Sequence, residues 1–167
     1  MRLKQYTVKK NLTLGTPYLS EVSDVKLPAV RRCMYTCEDV ESLLREYYDI
    51  CELAEEECFL ICVDSALKAL GVCMVSHGSV NVTLLPVREI YQRALLLGAT
   101  GIFVVHNHPS GKVYPSEEDK RVTERLYIAG ELMGIQLLDH IIVGESYFSF
   151  QREGLLKQIC KKYEESV

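Results

Sequence analysis

Two short runs of mostly apolar residues constrain the fold more than any other feature of the chain. They are CFLICVD, residues 58–64, and TGIFVVH, residues 100–106. Continuous apolar runs of this length are typical of strands buried on both faces. Because both faces of such a sheet must be covered, we expect helices on each side, which predicts an α/β fold with a mixed sheet.

Helical patterns alternate with these runs. In TCEDVESLLREYYDICELAEEE, residues 36–57, Thr36 and Asp39 form a capping-box pattern and an apolar stripe follows, so the segment is predicted to be a helix. The remaining predicted elements are a hairpin over residues 58–77, helices over 86–97 and 116–133, a second hairpin over 135–150 and a terminal helix over 153–165.

The 167 residues have the length of one domain with a real core. Residues 1–35 alternate poorly and are predicted to be an N-terminal arm, with one or two short strands on the sheet edge, ahead of an α/β domain over 36–167. The seven cysteines are an odd number and lie mostly in apolar segments, which favours buried reduced thiols over a disulfide framework. The isolated Cys33 and Cys37 are a weak zinc signal.

Charge and hydropathy exclude several classes of function. The net charge of −4 gives no electrostatic reason to expect tight nucleic-acid binding, which normally needs a Lys/Arg-rich face. A local basic patch around Arg31 and Arg32 is the exception that the sequence leaves open. No apolar run approaches the roughly 18 residues of a membrane span, and the N-terminus lacks the apolar region of a signal peptide. A cytoplasmic protein is expected.

The stretch HNHPSGKVYPSEED, residues 106–119, concentrates the residues that carry chemistry. His106 and His108 end a strand, and residues i and i+2 of a strand point to the same face, so both imidazoles can converge while Asn107 turns away. Asp119 follows in the first turn of the next helix. Two imidazoles and one carboxylate are a normal ligand set for catalytic zinc, whose fourth position is left for a water with a pKa lowered to about 7.

Two further roles remain open from the residues alone. Glu56 or Glu57, immediately before the first apolar run, could take a proton from the attacking water. Ser116 could donate to the oxygen that gains charge in the transition state. The alternative is structural: Ser116 and Asp119 also read as a capping box, in which Ser116 accepts from the Asp119 amide and the carboxylate reaches back.

The combined spacing resembles the JAMM signature of the JAB/MPN metallopeptidase family, which is H-x-H-P followed seven residues later by S-x-x-D. Over residues 55 to 150 the sequence is similar to the bacterial RadC-like branch, historically labelled as DNA repair proteins. The helix-hairpin-helix segment of full-length RadC proteins does not appear in the sequence. The expectation is therefore a short, single-domain form with the JAB/MPN-type, cytidine-deaminase-like mixed sheet.

The resemblance implies Zn²⁺ bound by His106, His108 and Asp119, with Ser116 and an upstream glutamate assisting. The family register selects Glu56, with Glu57 as the alternative. The implied activity is hydrolysis of an amide bond in a peptide or protein whose identity the sequence does not give.

LLDHIIVG, residues 137–144, also matches the RadC-like pattern. Asp139 or His140 is therefore a candidate support for the metal ligands, or else the two form a hydrogen-bonded pair facing partly to solvent. The alternative functions are a DNA-associated role and a non-catalytic interaction module. Association of copies of the chain is a further open expectation.

Overall fold

The computed structural model describes residues 2–11, 13–26, 33–77 and 85–165. Within them the chain forms seven strands and four helices. In chain order the elements are β1 (Arg2–Lys10), β2 (Pro17–Lys26), α1 (Cys37–Tyr48), β3 (Glu57–Val63), β4 (Ala69–His77), α2 (Val87–Leu97), β5 (Gly101–Asn107), α3 (Glu117–Met133), β6 (Gln136–Val143), β7 (Tyr147–Ser149) and α4 (Leu155–Glu164). The suggested basic patch at Arg31 and Arg32 lies outside the described residues.

All seven strands join one mixed sheet in the order β2-β1-β4-β3-β5-β6-β7. The two apolar runs are its centre: β3 and β5 are fully buried along their length and pair antiparallel to each other. β5 and β6 are parallel, while β3 and β4 form the predicted first hairpin. The predicted α/β fold with a mixed sheet is confirmed.

Helices cover both faces of the sheet, as two separate apolar clusters show. α1 packs on one face through Val40, Leu43 and Leu44. The other face carries residues of α2, α3 and α4, including Ile90 and Leu126. Since successive residues of a strand point to opposite faces, each central strand contributes alternate side chains to the two clusters.

Two predicted elements have different bounds in the structure. The helix predicted over 36–57 begins at Cys37 with the expected Thr36 capping box but ends at Tyr48, because Asp49 takes a left-handed conformation with φ 48°. The predicted short strands of the N-terminal arm are in fact nine and ten residues long. They pair with each other, β1 also pairs parallel to β4, and β2 is the outer strand of the sheet.

The described cysteines are free thiols, and Cys58, Cys62 and Cys73 are buried as predicted. Among the described residues, no helix combines the length and the hydrophobicity needed to cross a bilayer.

Candidate metal site

Opposite strand directions bring the two ends of the candidate site together. β3 and β5 are antiparallel, with Cys58 paired to His106, so the start of β3 lies beside the end of β5. Glu56 immediately precedes β3, and His108 follows β5 by one residue. Residues 48 positions or more apart in sequence are therefore adjacent at one edge of the sheet.

The two histidines share a face, as the i, i+2 spacing predicts. Their Nε2 atoms are 3.1 Å apart, and the rings meet edge-on. His106 is fully buried and His108 only partly exposed. Both imidazoles thus aim the same nitrogen at one point.

Asp119 contributes one carboxylate to two arrangements that the sequence analysis treated as alternatives. Its Oδ1 lies 3.3 Å from His106 Nε2, and its Oδ2 lies 3.9 Å from His108 Nε2. Oδ2 also accepts from the Ser116 amide at 2.7 Å and from the Ser116 hydroxyl at 2.5 Å. The Asp119 amide in turn donates to Ser116 Oγ at 3.1 Å. The helix cap therefore holds the carboxylate in place beside the histidines.

The neighbouring loop fixes the orientation of the His108 ring. His108 Nδ1 lies 2.7 Å from the Lys112 carbonyl oxygen. A carbonyl only accepts, so Nδ1 carries the proton and the neutral ring leaves Nε2 bare. The loop is tied down where Glu145 N donates to Gly111 O at 3.1 Å. A Cβ at Gly144 would come within 2.4 Å of that Gly111 oxygen, so the close approach needs glycine at 144.

Asn107 turns away from the histidines, as predicted, and holds the segment that carries Glu56. Its Oδ1 accepts from the Glu57 amide at 2.7 Å, and its Nδ2 donates to the Glu55 carbonyl at 3.0 Å. The residue between these two anchors is Glu56, whose Oε1 lies 3.8 Å from His106 Nε2. Side-chain atoms of Glu56, His106 and His108 all lie within 4.8 Å of one another.

Burial and charge act in opposite directions on the two carboxylates. Burial raises the pKa of Glu56, and a positive charge on His106 or His108 would act in the opposite direction. Burial alone would also raise the pKa of Asp119, but the neighbouring His106 and the Ser116 donors outweigh it and hold that pKa well below its usual range. Asp119 is consequently ionised.

Comparison with known proteins identifies the family of the chain. A family model described as the RadC-like JAB domain matches residues 34–155. The chain belongs to the RadC-like JAB family.

Its similarity to individual members extends over most of the chain. It is 36% identical over 157 residues to a UPF0758 protein of Thermotoga maritima, with 92% of this chain and 66% of the relative covered. A UPF0758 protein of Clostridioides difficile is 38% identical over 155 residues, with 92% and 62% covered. One from Methanosarcina barkeri is 37% identical over 128 residues, with 76% and 55% covered. The chain spans about half to two thirds of the length of these relatives.

The donor set of this RadC-like JAB domain fits a zinc ion. His106 Nε2, His108 Nε2 and Asp119 Oδ1 are nitrogen and oxygen donors of the kind that zinc prefers, and a water fills the fourth position in catalytic sites. At least the His108 nitrogen is a bare lone pair aimed at the other two. Acceptors brought this close repel one another, and a cation bound between them would relieve that repulsion.

The structure adds to the sequence analysis of the site at three points. The capping role of Ser116 is confirmed, and its hydroxyl proton goes to Asp119 Oδ2. Asp139 and His140 do not form a solvent-facing pair: both are buried, and Asp139 accepts from Ser149 Oγ at 2.5 Å on the side away from the histidines. The holding contacts of Asn107 were missed, because an amide between two histidines carries no motif of its own.

Proposed function

We propose that this chain is a zinc-dependent hydrolase that cleaves peptide or isopeptide bonds in a peptide or protein substrate. The ligands in this proposal are His106, His108 and Asp119. The supporting observation is the convergence of the two imidazoles and the carboxylate: the Nε2 atoms are 3.1 Å apart, Asp119 Oδ1 lies 3.3 Å from His106 Nε2, and Asp119 Oδ2 lies 3.9 Å from His108 Nε2. No set of this kind is needed for packing, because apolar side chains would fill the same space at lower cost.

Bound zinc would acidify water and polarise the carbonyl oxygen of the substrate. Glu56 borders the ligands, and the Asn107 contacts hold the backbone on either side of it. In this proposal its carboxylate would accept the proton of the attacking water and pass it to the leaving amine. In the assisting role, Ser116 would turn its hydroxyl from Asp119 Oδ2 to the substrate oxygen that gains charge.

Substrate would approach along an open groove beside His108. The groove is lined by Arg45, Cys51, Pro109 and Glu145 among others. The guanidinium of Arg45 is already occupied by the carbonyls of Gly144 and Ser146, at 3.1 and 2.9 Å, and therefore shapes the wall of the groove. A DNA-associated or non-catalytic role, the alternative implied by the resemblance, has no observation of its own among the described residues.

The test of this proposal is metal binding. We expect the purified protein to carry about one zinc per chain by elemental analysis, and to retain it against a chromophoric chelator. His106→Ala and Asp119→Ala should lose most of the zinc, since each removes one of three protein ligands. The matched control is Glu118→Ala, the neighbour of Asp119 in the first turn of α3. Folded wild type without saturable zinc binding would overturn the proposal.

A further inference from the structure

A line of polar groups runs through the buried interior from the backbone of Asp119 to the far side of the His106 ring. Thr123 Oγ1 lies 2.5 Å from the Asp119 carbonyl oxygen and 2.6 Å from His140 Nδ1. His140 Nε2 lies 2.9 Å from His106 Nδ1. Thr123 and His140 are both fully buried. Both ends of the line belong to the candidate metal site, while its two middle members contact proposed ligand residues without being proposed ligands themselves.

Helix and strand geometry produce this line. Asp119 and Thr123 are four residues apart in α3 and therefore lie one turn apart on the same face. In the parallel pairing of β5 with β6, His140 is opposite Val104 and so sits two positions from His106 on the same face of the sheet. α3 packs on β6 on that face, which closes the gap between Thr123 and His140.

The direction of each hydrogen bond follows from the carbonyl at the start of the line. The Asp119 carbonyl can only accept, and two oxygens 2.5 Å apart need a hydrogen between them. The single hydroxyl proton of Thr123 is therefore donated to Asp119. Since that proton is used, Thr123 Oγ1 must accept from His140, which places a proton on His140 Nδ1.

The buried position of the His140 ring determines whether its second nitrogen also carries a proton. The His140 ring is 0% exposed and stacks on Phe150 at 4.8 Å between ring centroids. A second proton would place a positive charge in this apolar setting, which is costly. The ring therefore offers a bare Nε2, and this atom accepts from His106 Nδ1.

We propose that Thr123 and His140 are positioning residues that fix the tautomer of His106, so that its proton stays on Nδ1 and its Nε2 lone pair faces Asp119 Oδ1 and His108. The value of this arrangement for metal binding rests on the proposed function, whereas the tautomer itself does not. Outer hydrogen bonds of this type orient a metal-binding imidazole, and their loss typically weakens metal binding by about 10- to 100-fold.

The experiment reads the ring nitrogens of ¹⁵N-labelled, metal-free protein by NMR at about pH 8, above the ordinary histidine pKa of about 6.5. In the wild type we expect protons on Nδ1 of both His106 and His140. Thr123→Val keeps the side-chain shape but removes the acceptor of the His140 Nδ1 proton. We expect that proton to move to Nε2, which obliges His106 Nδ1 to accept. Thr123→Ser should restore the wild-type pattern, and Thr100→Val is the control for loss of a threonine hydroxyl elsewhere.

Zinc affinity, measured separately by chelator competition, should fall about 10- to 100-fold in Thr123→Val and recover in Thr123→Ser. If His106 Nδ1 carries no proton in the wild type, the proposed hydrogen-bonded line is wrong, and this measurement does not depend on the folding of a variant. An unchanged pattern in folded Thr123→Val overturns it as well. If the tautomers behave as expected while neither the wild type nor any variant binds zinc, the role of Thr123 and His140 stands and the proposed function fails.

Discussion

Replacing Asn107 with alanine tests how the segment carrying Glu56 is held. The change removes two hydrogen bonds, from the Glu57 amide at 2.7 Å and to the Glu55 carbonyl at 3.0 Å. The hydrogen bond from the Glu57 amide to Asn107 Oδ1 is buried, so leaving that donor without its acceptor costs about 1–3 kcal/mol. The second bond, in a partly buried setting, contributes about 0.5–1.5 kcal/mol. We expect the free energy of unfolding to fall by about 2–4 kcal/mol.

This loss is a large part of the roughly 5–15 kcal/mol by which a native domain is stable. Urea denaturation should show it as a lower midpoint, and the melting temperature should fall by roughly 5–15 °C for a chain of this size. Amide hydrogen exchange gives the local readout. The Glu57 amide should exchange at least about tenfold faster, since a factor of ten corresponds to only about 1.4 kcal/mol.

Asn11→Ala is the matched control. The Asn11 side chain also makes two backbone hydrogen bonds, accepting from the amides of Thr13 and Leu14 at 2.9 Å each, but in an exposed turn. Water can replace those bonds, so we expect a cost below about 1 kcal/mol. If Asn107→Ala costs no more than Asn11→Ala, or leaves exchange of the Glu57 amide unchanged, Asn107 does not hold this segment.

Two further predictions concern carboxylates. Glu56→Gln should keep the zinc, because Glu56 is not one of the three proposed ligands. The variant should bind a peptide substrate in the native host without hydrolysing it. If hydrolysis is retained in Glu56→Gln but lost in Glu57→Gln, the proton-transfer role belongs to Glu57. Burial, partly offset by Ser149 and backbone donors, raises the pKa of Asp139 to about 6. The folded state then holds this proton more tightly than the unfolded chain, so the contribution of Asp139 to stability is fully present below about pH 4 and is lost as the pH rises through about 6, by about 3 kcal/mol. Asp139→Asn should remove that slope in denaturation series from pH 4 to 7, and parallel series for variant and wild type would contradict it.

Local sequence signals predicted the centre of the fold and the convergence of the histidines. The apolar runs around Leu60 and Val104 are typical of doubly buried strands, and the i, i+2 rule placed His106 and His108 on one face. The cap at Ser116 was visible because its partner is three residues away. In each case the determining interaction lies within one strand or one helical turn.

What the sequence did not reveal depends on pairing between distant segments. Asn107 reaches back about fifty residues to Glu57, and its role follows from the β3–β5 register alone. Thr123 belongs to no motif, and its partner His140 lies in β6, which is placed beside α3 by its pairing with β5. The end of α1 at Tyr48 was also missed, because the polar residues after it suit a helix and only the left-handed Asp49 ends it.

The pairing of β3 has a consequence for how errors in the sheet would propagate. Its six pairs with β5 run without interruption from Cys58–His106 to Val63–Gly101, whereas both irregularities of β3 occur on the side facing β4. A slip of one residue against β5 would turn the carboxylate of Glu56 to the opposite face, and a slip of two would carry it about 7 Å along the edge. Insertions in the β3–β4 hairpin can therefore be absorbed on its outer side. The β3–β5 pairing therefore fixes the distance between the Glu56 carboxylate and the imidazoles of His106 and His108.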